Sequence, residues 1–571
     1  MPHAADPVAA HSDDRTDPAA AERRRLNGEA VERIVTGRAE VQDRGGSRAV
    51  QLEPGVWAQY GAPRQAEILT FLVEFGEKKD PRFPDAPSGP GHNAIPRPDR
   101  TVDNVTHWTN DFDRAHYTRL LFADDGDSMR DLYREMSRGR HLLSGAVEDW
   151  VRVPWHSASY GQTENQEDMT RFVQDTADAW YTAQKAAGRT AAEIDADLTR
   201  FDRWDRYDHD SDGDFAEPDG YIDHFQAVHA GEGEEAGAPA SAIWSHRWAV
   251  NQDGAGTDGP ASNPAGGIRI GDSQLWIRDY TTEPENGGLG VFAHEYAHDL
   301  GLPDLYDTAG GENGTGFWTL MSAGGWLSRE GDAIGTAPDH MGAWEKLQLG
   351  WLDYEVAIPG RTSIHVLGAS ADPGAAAQGL VVVLPTDENG RNRYYLAENR
   401  RYVGYDATLR SGPYNFGRSI SAPNLVERFP YQDGLSISYW NTAVPDNNTS
   451  QHPGSGLVLP VDARPEALRW SDGAPVRNRI QSYDATFGTQ GTDGIELHHE
   501  VAGASSILRA GPRPAVDVFD DTDPAAYYDP LNPQGSVVVA GVGTTVRVLE
   551  DAEEGPTTVR VEWSAPGRAG G

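Results

Sequence analysis

His294-Glu295-Tyr296-Ala297-His298-Asp299-Leu300-Gly301-Leu302-Pro303-Asp304 is the stretch on which the reading of this chain turns. Residues four apart stand one turn apart on the same face of a helix, so His294 and His298 can present their imidazoles to one divalent ion. Glu295 projects beside them toward a water on that ion, the arrangement of a metal-dependent hydrolase. Gly287, Gly288 and Gly290 precede an apolar start at Val291, Phe292 and Ala293, and Gly301 stands where a left-handed cap would end a helix. The spacing therefore predicts a helix that stops one turn past His298. A sharp turn at Gly301 would swing Asp304 back toward the ion, completing two imidazoles and a carboxylate with a fourth position open to water. Asp307 and Glu312 also follow the helix, and spacing alone does not choose among the three carboxylates; Asp304 is the one expected. Zinc is the expected ion.

Farther along, GFWTLMSAGGW (residues 316–326) sets Met321 in a Gly-rich turn. Such a turn lies beneath the metal in metalloproteases whose helix motif runs past a glycine to a third ligand. On its own a buried Met is ordinary core filling. The order of segments carries more: HNAIPRPDR from residue 92, SMRDLYREMSRGRHLLSG from 128, DRYDHDSDGD from 205, HAGEGEEAG from 229, IWSHRW from 243, then the metal helix and the Met321 turn. In that series the chain resembles the immune inhibitor A family of secreted bacterial metallopeptidases, strongly over Ile68 to Asp353 and more loosely beyond. The resemblance implies a zinc endopeptidase acting on protein or peptide substrates, with His294 and His298 as ligands and Glu295 as catalytic base. It also implies export and an N-terminal propeptide.

Composition bounds the alternatives. With 88 acidic against 49 basic residues the formal charge is −39, which disfavours nucleic acid or an anionic membrane as a partner held by bulk electrostatics. No cysteine is present, so disulfides, thiolate ligands and a cysteine nucleophile are excluded, and a metal site must use His and carboxylate. No apolar run is long enough to insert in a bilayer, and residues 1–26 show no signal-peptide core; extracellular localisation is implied by the resemblance alone.

At 571 residues the chain exceeds one ordinary core. Three regions are expected: a polar, propeptide-like segment over 1–50 with a short helix near Ala21 to Gly37, a catalytic domain over 51–355, and a β-rich domain over 356–571. The fold class is α+β, a mixed sheet with helices in a metzincin-like catalytic domain followed by a β-sandwich-rich region. ILTFLVEF from Ile68 reads as a buried strand, Ser128 with Asp131 opens a helix, and Gln166 to Ala187 is an amphipathic helix. Strands are expected at Tyr221 to His229, Ile243 to Val250 and Gln274 to Tyr280, the last as an edge able to pair with an extended substrate. Past Gly350, short alternating segments such as Ser363 to Leu367, Leu380 to Leu384, Tyr394 to Glu398 and Leu435 to Tyr439 carry the sandwich signature, continued over Val537 to Trp563.

Asp208, Asp210, Asp212, Gly213 and Asp214 reproduce the opening of a calcium loop, with Asp219 at the twelfth position where Glu is usual. Structural calcium is expected there, although the shorter Asp219 and Pro218 argue against a standard helix-loop-helix. Glu232, Glu234 and Glu235 read as a polar turn, and His246 and His340 as hydrogen-bonded packing residues. Tyr306 is close enough in sequence to line the cleft. The competing class is a catalytically silent, calcium-stabilised extracellular binding or adhesion protein; the intact Glu295 argues against it.

Overall fold

The computed structural model describes residues 12–15, 17–163, 165–501, 503–552 and 555–564. The described chain opens on helix α1 (Pro18–Val35) and a three-stranded meander, β1 (Gln42–Arg44), β2 (Ser47–Glu53) and β3 (Val56–Gln59). Asp17 caps α1 by accepting from the N–H groups of Ala19 and Ala20, with Pro18 in the first turn, so the helix starts before Ala21. Ala30, Val31 and Val35 bury into the same core as the His294 helix. The expected boundary between residues 50 and 51 falls inside β2.

A mixed sheet organises the next region: β4 (Gln65–Glu74), β5 (Leu142–Val147), β6 (His224–His229), β7 (His246–Ala249) and β8 (Asp279–Pro284), ordered β5-β4-β6-β8-β7. Its pairs are parallel except β8 with β7, which run antiparallel. Parallel neighbours need long crossovers. These carry α2 (Arg114–Phe122), α3 (Met129–Met136) and α4 (Gln166–Ala186). Met169, Phe172, Val173, Ala177 and Trp180 of α4 pack on one face of the sheet, where the Phe71 and Trp180 rings stack at 4.7 Å. The other face, through Ile68, Leu72 and Val228, receives α3 and α5 (Leu289–Asp299).

The edge lies elsewhere than the sequence pattern predicts. Trp276–Ile277 pairs with Ile268–Arg269 in a separate ribbon, while β8 is inserted between β6 and β7 with all six residues buried. β8 thus bonds on both sides, and β7 becomes the edge.

Beyond Trp351, one sheet orders β9 (Tyr354–Ala357), β11 (Gly379–Val383), β12 (Arg393–Arg400), β13 (Gly434–Asn441) and β14 (Val458–Pro460). A second orders β10 (Ser363–Leu367), β17 (Thr557–Trp563), β16 (Thr544–Asp551) and β15 (Val518–Asp520). The two share one core, with Leu380, Val382, Tyr395 and Ile437 from the first meeting Phe519, Val546, Val559 and Val561 from the second. Between these strands, long excursions pack Tyr414, Tyr431 and Ile480 against Phe317 and Trp318. That cluster joins the β-rich half to the segment that follows the metal helix.

Candidate metal centre

Helix α5 is held at close quarters. A Cβ on Gly290 would stand 1.7 Å from the Gly325 carbonyl oxygen, so only glycine lets the helix lie against the turn that holds Met321. Tyr133 donates its hydroxyl to the Ala293 carbonyl at 2.6 Å. At the other end Gly301 adopts φ 107, and the N–H groups of Gly301 and Leu302 reach back to the carbonyls of His298 and Ala297 at 2.8 and 3.1 Å. This is the paired closure that a left-handed glycine permits.

The chain turns there and brings Asp304 to the two histidines. His294 and His298 direct Nδ1 to the carbonyls of Leu320 and Leu302 at 2.9 and 2.8 Å, which fixes both rings and leaves each Nε2 facing inward. The Nε2 atoms stand 3.0 Å apart, and Asp304 Oδ1 lies 3.5 and 3.2 Å from those of His294 and His298. A fourth donor completes the group: Asp13 Oδ1 lies 3.4 and 3.0 Å from the same two atoms. Donors at about 2.0–2.1 Å from a tetrahedral ion stand roughly 3.3 Å from one another, so these edges fit a zinc-sized tetrahedron. Asp307 and Glu312 are not part of the cluster; the first accepts from the Ser450 N–H and the second pairs with Arg477 at 2.5 Å.

Charge bookkeeping agrees with the distances. Burial opposes ionisation of Asp13, yet the adjacent imidazoles outweigh it and hold this carboxyl well below its usual range. Burial opposes protonation of His294 too, but Asp13 prevails and lifts it to about 10. Burial, then the Asp13 charge, push Glu295 well above the ordinary carboxyl range. One divalent cation removes the need for these protons, replacing them on the imidazoles and compensating the carboxylates. The residues present therefore fit a zinc ion.

Glu295 is 2% exposed, and its Oε2 has no hydrogen-bond partner among the described residues. Together with His294 it lines a cleft of about 380 Å³ whose walls include Glu232, Glu235, Trp326, Tyr414 and Arg479. Met321 is fully buried in the turn beneath, where Leu320 supplies the carbonyl bonded to His294. Tyr306 is placed with its ring 6.4 Å from that of His294.

The acidic loop is assembled in a different grouping from the one its spacing predicts. Asp208, Asp210 and Asp212 converge, and the Gly213 N–H donates to Asp208 Oδ1 at 2.9 Å. Asp214 and Asp219 are not in that group: Asp214 lies against Gly45 and accepts from Ala216 N–H, and Asp219 accepts from Tyr221 N–H. Burial pushes Asp219 up to about 7. Asp205, His209 and Glu217 form a second group, in which Asp205 is fully buried and its Oδ1 lacks a partner among the described residues. The loop runs from a short turn at Thr199–Phe201 into β6, so no helix pair flanks it. Arg206, inside it, bonds Asp299 at 2.6 Å, and Asp299 also takes His224 Nδ1 at 2.5 Å. The loop is thereby tied to the last turn of α5.

His246 bonds Tyr280 and the Trp244 carbonyl, and His340 bonds Glu135 and Lys346, as packing residues do. Glu235 accepts from Ser245 N–H and Oγ, and none of Glu232, Glu234 and Glu235 joins a metal-ligating group among the described residues. A donor from the propeptide-like segment is in keeping with the sequence reading, but Asp13 itself and the cleft walls from the β-rich half were not singled out in the sequence. Both meet the site only through tertiary contact, and neither carries a local motif.

Among the described residues no helix is long and apolar enough to cross a membrane. Residues 56–352 match the family described as immune inhibitor A peptidase M6, catalytic domain, and residues 388–559 match the VEG domain of immune inhibitor A-like metallopeptidases. Over 295 residues, 49% of this chain, it is 34% identical to immune inhibitor A of Bacillus thuringiensis subsp. alesti. Over 306 residues, 50% of this chain, it is 33% identical to the pre-pro-metalloprotease PrtV of Vibrio cholerae serotype O1. Those stretches cover 39% and 30% of the two relatives, so the chain spans well under half of their length. With more than half of its 571 residues inside the catalytic-domain match, the chain belongs to the immune inhibitor A family of M6 metallopeptidases.

Proposed function

We propose that this chain is a zinc-dependent endopeptidase of metzincin type that cleaves protein substrates outside the cell. The observation that supports it most is the set of donor separations around His294, His298 and Asp304, all between 3.0 and 3.5 Å, with Glu295 lining the cleft beside them. Zinc held there would supply Lewis acidity toward a scissile carbonyl and toward a water molecule. Glu295 takes the proton of the attacking water and returns it to the leaving amine nitrogen, a role that its position one residue from His294 and its unpartnered Oε2 allow. Strand β7, the outermost strand of the sheet, has the main-chain groups that an extended peptide would pair with, an edge that residues 13–15 take at Arg247. Export is in keeping with the relative named a pre-pro-metalloprotease.

A structural calcium ion in the 205–219 loop belongs to the same proposal. It is supported by the buried, unpartnered Oδ1 of Asp205 next to Glu217 and by the convergence of Asp208, Asp210 and Asp212. Trp57 lies under Gly213, so terbium bound in the loop should luminesce on excitation of that indole. Excess calcium should quench the signal, and a loop that gives none is only a solvated acidic turn. For the peptidase, the test is cleavage of casein, lost on chelation and restored by zinc; a silent binding protein would cut in neither state.

A further inference from the structure

The turn beneath the metal helix is gripped from the β-rich half of the chain. We propose that Arg400, at the end of β12, is a positioning residue for the metal: it holds residues 318–321, and through them sets two of the ligands, His294 and Asp304. This rests on the metal-binding reading of that site.

The segment meets the ligands at two consecutive carbonyls. The Leu320 carbonyl accepts from His294 Nδ1 at 2.9 Å, and the Met321 carbonyl accepts from the N–H of Leu305, the residue after Asp304, at 2.9 Å. A shift of the segment therefore turns one imidazole and moves one carboxylate together. Groups that orient metal ligands in this way govern affinity almost as strongly as the ligands themselves.

The segment is fixed in turn by a buried ionic cluster. Arg400 Nη1 donates to the Trp318 carbonyl at 2.8 Å, while Nη2 donates to Asp339 Oδ2 at 3.0 Å and to Asp406 Oδ1 at 2.7 Å. Asp406 Oδ1 also accepts from the His340 N–H at 3.2 Å, and the His340 carbonyl accepts from the Leu320 N–H at 3.2 Å. Trp318 is thus bonded to the cluster directly and Leu320 through His340. Arg400, Asp339, Asp406 and His340 are all buried. A Cβ on Gly324 would stand 2.1 Å from Asp339 Oδ1, so the same turn lies directly against the cluster.

The chemistry calls for arginine. A guanidinium presents its N–H groups in a rigid planar fork, so one side chain can bond a carbonyl and two carboxylates at fixed angles, which the point charge of a lysine cannot do. Burying such a cluster adds little net stability over apolar packing of the same volume. What it supplies here is a defined geometry, and that geometry ends at His294. Arg400 and Asp406 fall in the stretch matched to the VEG domain, whereas Trp318, Leu320 and Asp339 fall in that matched to the catalytic domain. The β-rich half is thereby part of the support of the metal site.

The test compares the full chain with its Arg400→Lys, Asp406→Asn and Val559→Ala variants. Val559 is buried between the two sheets of the β-rich half and reports plain loss of packing. Each protein is loaded with cobalt(II) for its visible spectrum, titrated with zinc against a competing chelator, and unfolded in urea; casein cleavage is read separately. Arg400→Lys keeps the charge but not the fork, so it should alter the cobalt spectrum and weaken zinc binding about 10- to 100-fold. Asp406→Asn should move both in the same direction, and it decides the matter where Arg400→Lys fails to fold. Val559→Ala should lower the urea midpoint and leave spectrum and zinc affinity as they are. An unchanged spectrum and affinity in folded Arg400→Lys, or equal changes in Val559→Ala, overturn the role of Arg400 whether or not casein is cut. The predicted changes without cleavage by any of the four chains leave Arg400 a positioning residue and sink the peptidase reading.

Discussion

Asp13 Oδ1 lies 3.0 Å from His298 Nε2, across 285 positions of sequence. The same Nε2 is 3.2 Å from Asp304 Oδ1, so one imidazole is shared between a carboxylate from the chain's beginning and one that the Gly301 turn returns from six residues away. The local motif supplies three donors and the tertiary fold supplies the fourth.

The role given to Glu295 leads to the first expectation. Glu295→Gln keeps the side chain's volume and leaves His294, His298 and Asp304 in place, so metal content by elemental analysis should match wild type. Cleavage should fall by at least 10²–10⁴-fold, the usual contribution of a general base. Wild-type turnover in this variant would remove Glu295 from the chemistry.

The choice of third ligand is tested by a pair of variants. Asp304 Oδ1 stands in the cluster, whereas Asp307 is occupied with the Ser450 and Ala309 N–H groups. Asp304→Ala should lose zinc on dialysis and Asp307→Ala should keep it. The opposite pattern would move the ligand to Asp307.

Gly301 sets the direction of the chain after α5. At φ 107 an alanine pays a backbone cost of about 1 kcal/mol or more, and the turn delivers Asp304 as well as closing the helix. Gly301→Ala should therefore lower the midpoint of urea unfolding and weaken zinc binding together. A variant as stable as wild type, with unchanged affinity, would show that the turn tolerates a side chain.

The β-rich half carries a pH dependence of its own. Asp462 is buried, and burial followed by the Asp484 charge pushes its carboxyl up to about 7; Oδ1 accepts from Arg464 N–H while Oδ2 has no partner among the described residues. Because the folded value exceeds the unfolded one, the protonated form is favoured in the native state. Its stabilising effect is complete below about pH 4 and is lost as pH rises through about 7, with a slope of at most roughly 1.4 kcal/mol per pH unit for one proton. Asp462→Asn should flatten that decline and be the more stable protein at pH 8. A decline of equal slope in the variant would assign the effect to other groups.

How much of this was written locally explains which expectations held. Helix α5, its stop at Gly301, the cap at Ser128 and the α4 stripe depend on neighbours within a turn or two, and each stands within a few residues of the span that the sequence predicts. The position of β8 depended on partners 30 to 55 residues away, and an all-buried strand lacks the alternation that marks an edge. In the acidic loop, alternate spacing brought Asp208, Asp210 and Asp212 together, but Asp219 was drawn inward to the Tyr221 N–H, and Asp205, upstream of the motif, became the buried carboxylate. Asp13 sits in a polar stretch that reads as a tail; only the pairing of that stretch with Arg247 on β7 gives it a place.

Hydrolysis of casein, measured on the full chain and on Asp13→Ala with one zinc per molecule, tests the central claim most directly. Cleavage that a chelator abolishes, that zinc restores and that Glu295→Gln eliminates is the predicted result. Stoichiometric zinc without cleavage in either chain, or cleavage that survives both chelation and Glu295→Gln, would contradict it.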